Sequence, residues 1–280
     1  MIPSVEEPLL ASLPWYDLPE VRSETDLLWC AMRQQFHAAG LSRVPNRLNR
    51  EVVYNEQWTS NRFFFGQACG YDVRMAYAHH LTAVATPCYD VPGCEGSRYR
   101  SYVVVRDDRS YRSIEELRGK RCVINTPTSH SGMNVLRALV APLHCDGRFF
   151  SDVRMSGAHE RSLQAIQRGY ADVAAVDCVT WALLSRYRPQ ELSGTRIIQE
   201  TDLVPAPPYV TAADADVETL DLMRMAVVEA VNQSELDGTL EKLMISRVEI
   251  LAEDAYCPIE HLDAVANGHN YFEIPGSTTM

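Results

Sequence analysis

The 280-residue chain sets 26 Lys and Arg against 37 Asp and Glu, a formal net charge of −11 at pH 7. Its 46% hydrophobic and 22% charged content is globular, which excludes a collagen-like or largely disordered chain. The acidic balance argues against nucleic acid, whose binders carry a basic stripe, but leaves room for a small anion held at a local site. No apolar run approaches the roughly 18–20 residues of a membrane span. Met1–Glu20 has no basic n-region and no apolar h-region, so no export leader is visible. The expectation is a cytoplasmic chain, or one that starts after a processed or mis-assigned beginning.

In chain order, Leu9–Leu13 reads as a short strand and Pro19–Ala39 as a helix. Leu28, Met32 and Phe36 give that helix one apolar face, and Gly40 fits its stop. Glu51–Tyr54, Arg62–Ala68 and Leu81–Cys88 are strand-like, and Tyr99–Arg106 (YRSYVVVR) is strongly β-forming. Ser113–Arg118 is a short helix and Arg121–Asn125 a strand. A polar turn then opens a helix with Leu136, Leu139, Val140 and Leu143 in phase. Strand Phe149–Met155, a helix closed by Gly169, strand Ala171–Val176 and a helix from Asp177 to Tyr187 follow. Ile197 and Ile198 lie in a short strand, Val204–Tyr209 is a crossover or hinge, and Val217–Ser246 holds two helical patterns. This alternation is the signature of an α/β fold with a largely parallel sheet. The second α/β unit is inserted between the first and a helical tail returning to it: residues 1–102 and 203–280 form lobe one, residues 103–202 lobe two.

Three strand-to-helix junctions carry polar residues. At Asn125–Asn134 (NTPTSHSGMN), Thr128, Ser129 and Ser131 place hydroxyls at a helix start and Gly132 allows close approach. The first helical N–H groups lack internal partners, so the stretch is either an oxyanion cradle or a plain N-cap. His159, after Ser156-Gly157-Ala158, either donates to an oxyanion or is a surface histidine. Asp177 and Trp181 sit at the carboxyl end of a strand, where open α/β sheets bind ligands. Asp177 either accepts from a ligand or caps the helix; Trp181 either walls a pocket or fills the core.

Enzyme signatures are poor. There is no G-x-S-x-G, G-x-G-x-x-G or H-E-x-x-H, and Gly119-Lys120 is not a phosphate-binding loop. The adjacent His79 and His80 cannot share one helical face, so no metal site is expected. Eight cysteines with no C-x-x-C pair argue against a zinc ribbon or a thioredoxin-like site. Cys88 and Cys94 are close enough in sequence to bridge in an oxidising compartment, and most of the others read as buried thiols.

Five stretches together carry a resemblance: WYDLPE at 15–20, QACGY at 67–71, TPCYDVPGCEGSRYRS at 86–101, NTPTSHSGMN at 125–134, and SGAHERSLQAIQRGYADVAAVDCVTWAL at 156–183. Their order and content resemble the PhnD-like family, the substrate-binding proteins of phosphate, phosphite and phosphonate ABC transporters. The resemblance implies a two-lobed type II periplasmic-binding-protein fold with the ligand in a cleft between lobes. It implies an anion site at Thr128, Ser129, Ser131 and Gly132, a second-lobe donor at His159, and first-lobe tyrosine hydroxyls at Tyr16, Tyr71 and Tyr89. Asp177 and Trp181 would face the substituent on phosphorus. His130 stands between the serines where an amide is common in relatives; it would tune the ligand's protonation or point to solvent. The implied partners are a small anion (phosphate, phosphite, phosphonate or phosphate ester) and, if the protein is exported to the periplasm, an ABC permease. No cofactor and no catalytic residue is implied. The rival expectations are a cytoplasmic enzyme of the same fold, of the kind found in menaquinone or thiamine-pyrimidine biosynthesis, and an orphan small-molecule sensor.

Overall fold

A computed structural model describes residues 7–271 and the backbone of 277–279. The first six residues of the stretch read for a leader lie outside the described part. In chain order the elements begin with β1 (Leu10–Ser12), α1 (Arg22–Ala38), α2 (Tyr54–Trp58), β2 (Phe63–Gln67) and β3 (Leu81–Tyr89). Next come β4 (Arg98–Tyr99), β5 (Ser101–Arg106), β6 (Arg121–Ile124), α3 (Val135–Val140), β7 (Asp152–Met155), α4 (His159–Gln167), β8 (Val173–Asp177) and α5 (Cys178–Tyr187). The chain ends with β9 (Thr195–Glu200), β10 (Val204–Pro205), β11 (Tyr209–Ala212), α6 (Val217–Val231), α7 (Asp237–Leu243), β12 (Ile245–Glu249), α8 (Cys257–Gly268) and β13 (Ser277–Thr279).

The chain divides into two compact units. The first comprises Met1–Asp90 and Ala206–Glu253, the second Val91–Pro205 and Asp254–Met280. The sequence reading placed everything after residue 202 in the first unit; the structure groups the chain from Asp254 onward with the second. The reason is a buried clamp. Arg137 on α3, 3% exposed, donates through Nε to the Tyr271 carbonyl at 2.9 Å. Its other nitrogens reach Asp263 and Asn267 on α8. Asn134 donates to the Ile259 carbonyl at 3.1 Å. These residues lie far apart in sequence, and no periodicity announces the pairing.

The first unit is built on a sheet of order β1-β2-β11-β3-β12. Only β1 and β2 run parallel; β11 is antiparallel to both β2 and β3, and β12 is antiparallel to β3. On α1, Thr25, Leu28, Trp29, Met32 and Phe36 are buried, the face expected from its periodicity, and Gly40 ends it at φ +87°. Two expectations fail here. Tyr54, taken as the end of a strand, begins helix α2 instead. The rings of the i, i+4 pair Tyr54 and Trp58 meet at 5.0 Å in a tilted arrangement, and both pack on Trp15, at 5.0 and 5.8 Å. This aromatic cluster outweighs the β-propensity of Val52 and Val53. Ile245 and Ser246, read as the end of a helical tail, instead begin strand β12 (Ile245–Glu249) on the edge of the sheet.

The second unit has a sheet of order β13-β7-β6-β8-β5-β9 and a separate antiparallel ribbon of β10 and β4. β13, β7, β6 and β8 run parallel, while β5 is antiparallel to β8 and β9. The sheets are therefore mixed rather than largely parallel. β5, β6 and β8 are almost wholly buried, which explains their continuous apolar runs. Among the described residues no helix is long and apolar enough to cross a membrane.

Candidate functional site

The parallel strands β6 and β8 deliver two polar junctions side by side in the second unit. β6 ends at Ile124, and Asn125 begins the turn that leads to Ser129. Ser129 is the N-cap of the following helix, whose first turn, His130–Asn134, is a π-helical segment running into α3. Such wide turns are frequent at functional sites. Ser129 Oγ accepts from the Gly132 N–H at 3.0 Å. Its carbonyl accepts from the N–H groups of Met133 and Asn134 at 3.2 and 2.9 Å. The N-cap reading of this serine therefore holds, and the Gly132 N–H is already engaged.

His159 opens α4, and its side chain is 10% exposed. Its Nε2 lies 2.8 Å from Ser131 Oγ, 3.4 Å from Asp177 Oδ2 and 3.4 Å from Asn125 Nδ2. It is not a surface histidine. Burial lowers its pKa, against the opposing pull of the Asp177 carboxylate and the Ala175 carbonyl, so the ring is neutral near pH 7. The Asp177 carboxylate and the Ala175 carbonyl are both acceptor-only neighbours of this ring, and a neutral imidazole has one N–H to give. Ser129 Oγ and Ser131 Oγ lie 3.5 Å apart, so this contact engages at most one of their two hydroxyl protons.

Asp177 ends β8 and caps α5. Oδ1 accepts from the Thr180 N–H at 2.8 Å, and Oδ2 from the Thr180 hydroxyl at 2.6 Å. Trp181, one turn along, is half-buried and meets Tyr102 edge-on at 6.0 Å. Ser131 and Asp177 both address the same nitrogen of His159. A nucleophile–histidine–acid relay needs the acid on the other ring nitrogen, so this geometry does not activate a serine.

Gly132 does not leave open space above its backbone. A Cβ there would fall 1.9 Å from Asn125 Oδ1 and 3.2 Å from His159 Cε1. The glycine exists so that Asn125 can lie across the helix start. Asn125, at the carboxyl end of β6, is the functional neighbour that the sequence reading passed over. His130 does not point to solvent: it is 1% exposed, its Nδ1 faces Asn134 Nδ2 at 3.2 Å, and burial pushes its pKa down to about 3. Thr128 stands half-buried just before this network and takes no part in it.

In the first unit the structure pairs two of the three tyrosines. Tyr16 meets Tyr89 edge-on at 5.1 Å, and Gln67 Nε2 donates to the Tyr89 hydroxyl at 3.0 Å and to the Pro207 carbonyl at 3.0 Å. Tyr16, Gln67, Tyr89 and Tyr209 line a small cavity of about 30 Å³, room for roughly one water. Tyr71, half-buried at the start of the π segment Asp72–Ala76, is not part of that pair. Gln67 was a missed residue; its signal is a lone amide ending the apolar run Phe63–Gln67.

The cysteines depart from expectation. Cys88 is buried in β3, and burial raises its thiol to about 12. Cys94 Sγ instead lies 3.4 Å from Cys178 Sγ. Cys30, Cys145 and Cys257 are exposed rather than buried.

No curated protein matches the sequence. Solved structures share the fold at low identity. A binding protein component of an ABC phosphonate transporter from Pseudomonas aeruginosa superposes with a TM-score of 0.75 at 15% identity, over 95% of this chain and 88% of that one. PhnD1 from Prochlorococcus marinus, solved with methylphosphonate, gives 0.69 at 14% identity, over 93% and 98%. The alkanesulfonate-binding protein SsuA from Xanthomonas axonopodis pv. citri, bound to MOPS, gives 0.63 at 12% identity, over 99% and 100%. The fold is that of the type II periplasmic binding proteins. The family model for the phosphonate periplasmic substrate-binding protein of ABC transporters matches residues 51–256. That stretch runs from before β2 to the start of α8 and contains both polar junctions, and the chain belongs to this family.

Proposed function

We propose that this chain is the substrate-binding component of an ABC transporter for phosphonate- or phosphate-type oxyanions, and that it seats the oxyanion on the 128–132 turn. The observation that carries the reading is the cluster of Ser129, Ser131 and a neutral, proton-bearing His159 at adjoining strand-to-helix junctions. A desolvated phosphorus oxyanion is tolerable only when each oxygen has a donor. In the proposal Thr128, Ser129 and Ser131 supply hydroxyls and the helix start supplies its dipole. His159 donates through Nε2. Tyr16, Tyr71 and Tyr89 add hydroxyls from the first unit, a role that rests on the family resemblance. Asp177 and Trp181 face the substituent on phosphorus. The negative net charge is no obstacle, since hydroxyls, the helix dipole and a neutral imidazole do the holding. A permease partner and a periplasmic location follow from the transport role. The shared nitrogen of Ser131 and Asp177 gives the enzyme reading no relay to build on.

Methylphosphonate is the first ligand to test, because a solved structure of the same fold carries it. A thermal-shift series would compare it with phosphite, phosphate, sulfate and an alkanesulfonate. A ligand at about 100 times its Kd adds about 2.7 kcal/mol of stability. By calorimetry, Ser131→Ala should weaken binding by roughly 5- to 150-fold, the equivalent of about 1–3 kcal/mol for an oxygen left short of a donor. No shift with any phosphorus oxyanion would refute the function. A shift with undiminished affinity in both Ser129→Ala and Ser131→Ala would refute the site.

A further inference from the structure

The second unit holds two thiols in sulfur contact. Cys94 closes the turn Pro92-Gly93-Cys94, and Cys178 is the first residue of α5. Two features hold the turn against the helix. The Tyr102 hydroxyl donates to the Pro92 carbonyl at 2.8 Å. Gly93 presents a bare Cα to Cys178: a Cβ there would lie 2.8 Å from Cys178 Cβ and 2.5 Å from the Tyr102 oxygen. The backbone at Gly93, at φ +92°, is also one that side chains rarely adopt. Together they set Cys94 Sγ 3.4 Å from Cys178 Sγ. Cys94 is half-buried and open to a reagent, whereas Cys178 is fully buried behind it.

We propose that Cys94 and Cys178 are a disulfide-forming pair, joined by thiol–disulfide exchange with a disulfide donor such as oxidised glutathione or a protein disulfide. The Cys94 thiolate attacks one sulfur of the donor, forming a mixed disulfide and releasing one donor thiolate. The Cys178 thiolate then attacks Cys94 Sγ, forming the internal bond and expelling the second donor thiolate. Two protein thiols lose two protons and two electrons, and the donor disulfide is reduced to two thiols. The sulfurs need to close by about 1.3 Å to reach the covalent distance of about 2.05 Å. The bond would join residues 84 apart in sequence. It would staple the 92–94 turn to the helix start behind Asp177, the residue that faces His159. The proposal does not depend on which ligand the protein takes.

The test uses the full purified chain, incubated with oxidised glutathione, alkylated and digested without reduction. The expected product is a linked peptide pair containing Cys94 and Cys178, two hydrogens lighter than the free peptides. Its formation should raise the melting temperature by about 10 °C, as a long stapled loop would, and dithiothreitol should reverse the rise. Cys94→Ser, at the half-buried position, should abolish both. Recovery of Cys94 as a free thiol, as a glutathione adduct, or joined to one of the exposed cysteines would overturn the proposal, and mapping of the unmutated chain decides this alone.

Discussion

Gly132→Ala tests whether Asn125 and Gly132 are shaped for each other. The backbone at Gly132 is helical and tolerates a side chain, so in an open site alanine would gain about 0.5–1 kcal/mol over glycine. The site is not open. The new Cβ would sit 1.9 Å from Asn125 Oδ1 and 2.8 Å from Asn125 Cγ, distances no side chain can share. Asn125 must swing away, leaving its 3.4 Å contact with His159. Overpacking of this kind costs about 1–3 kcal/mol. Removing the obstacle first changes the sign. In an Asn125→Ala background the nearest remaining neighbour is His159 Cε1 at 3.2 Å, which need move only a few tenths of an ångström, so Gly132→Ala should be neutral to mildly stabilising. Urea unfolding of the wild type, both single variants and the double variant gives the coupling energy, expected to be at least 1 kcal/mol. A Gly132→Ala cost that is the same in both backgrounds would refute the argument.

His130 and Arg137 offer two further checks. The folded His130 imidazole stays neutral down to about 3, while the unfolded ring protonates near 6.5. Between those values the unfolded chain binds the extra proton, and stability falls as pH falls, by up to about 1.4 kcal/mol per pH unit. His130→Asn should flatten denaturation-derived stability between pH 6 and 4 relative to wild type; an unchanged slope would show that the ring titrates normally. Arg137→Met strips the buried Asp263 of its cation and should cost about 3–5 kcal/mol. Pairing it with Asp263→Leu should recover most of the melting temperature, whereas an equal loss in single and double variants would mean that the arginine's packing, not the ion pair, matters.

What was legible in the sequence follows the range of the interactions involved. The elements with clean periodicity, α1 and the buried β5, β6 and β8, stand close to where their patterns put them, because local apolar spacing decides them. The junction residues were legible for the same reason: Ser129 and Asp177 sit where capping chemistry favours them. Interactions between distant segments were not. Tyr54 and Trp58 form a helix because Trp15 waits for them. The segment after Asp254 joins the second unit through Arg137. Cys94 meets a cysteine 84 residues away rather than the one six positions back. Asn125 lay in plain view inside the NTPTSHSGMN stretch. Its role rests on the close approach of its amide to the Gly132 backbone, which the spacing of hydroxyls and glycine does not encode.

The two histidines at this turn sharpen what the proposed cradle can select. His130 and His159 are both buried, and burial lowers both pKa values, so neither brings a positive charge at pH 7. The Asp177 carboxylate lies 3.4 Å from His159 Nε2 and is 3% exposed. Oδ1 accepts from the Thr180 N–H and Oδ2 from the Thr180 hydroxyl. On the proposed function, a carboxylate this close to His159 is an unfavourable neighbour for an anion seated on the hydroxyls. The unfavourable encounter is relieved when the ligand presents there a group that donates a hydrogen bond or carries no charge. A carbon substituent or a protonated oxygen does so; a bare third anionic oxygen does not. On the proposed function, the turn at 129–132 therefore supplies the attraction to phosphorus oxyanions in general, and the junction at 177–181 discriminates among them.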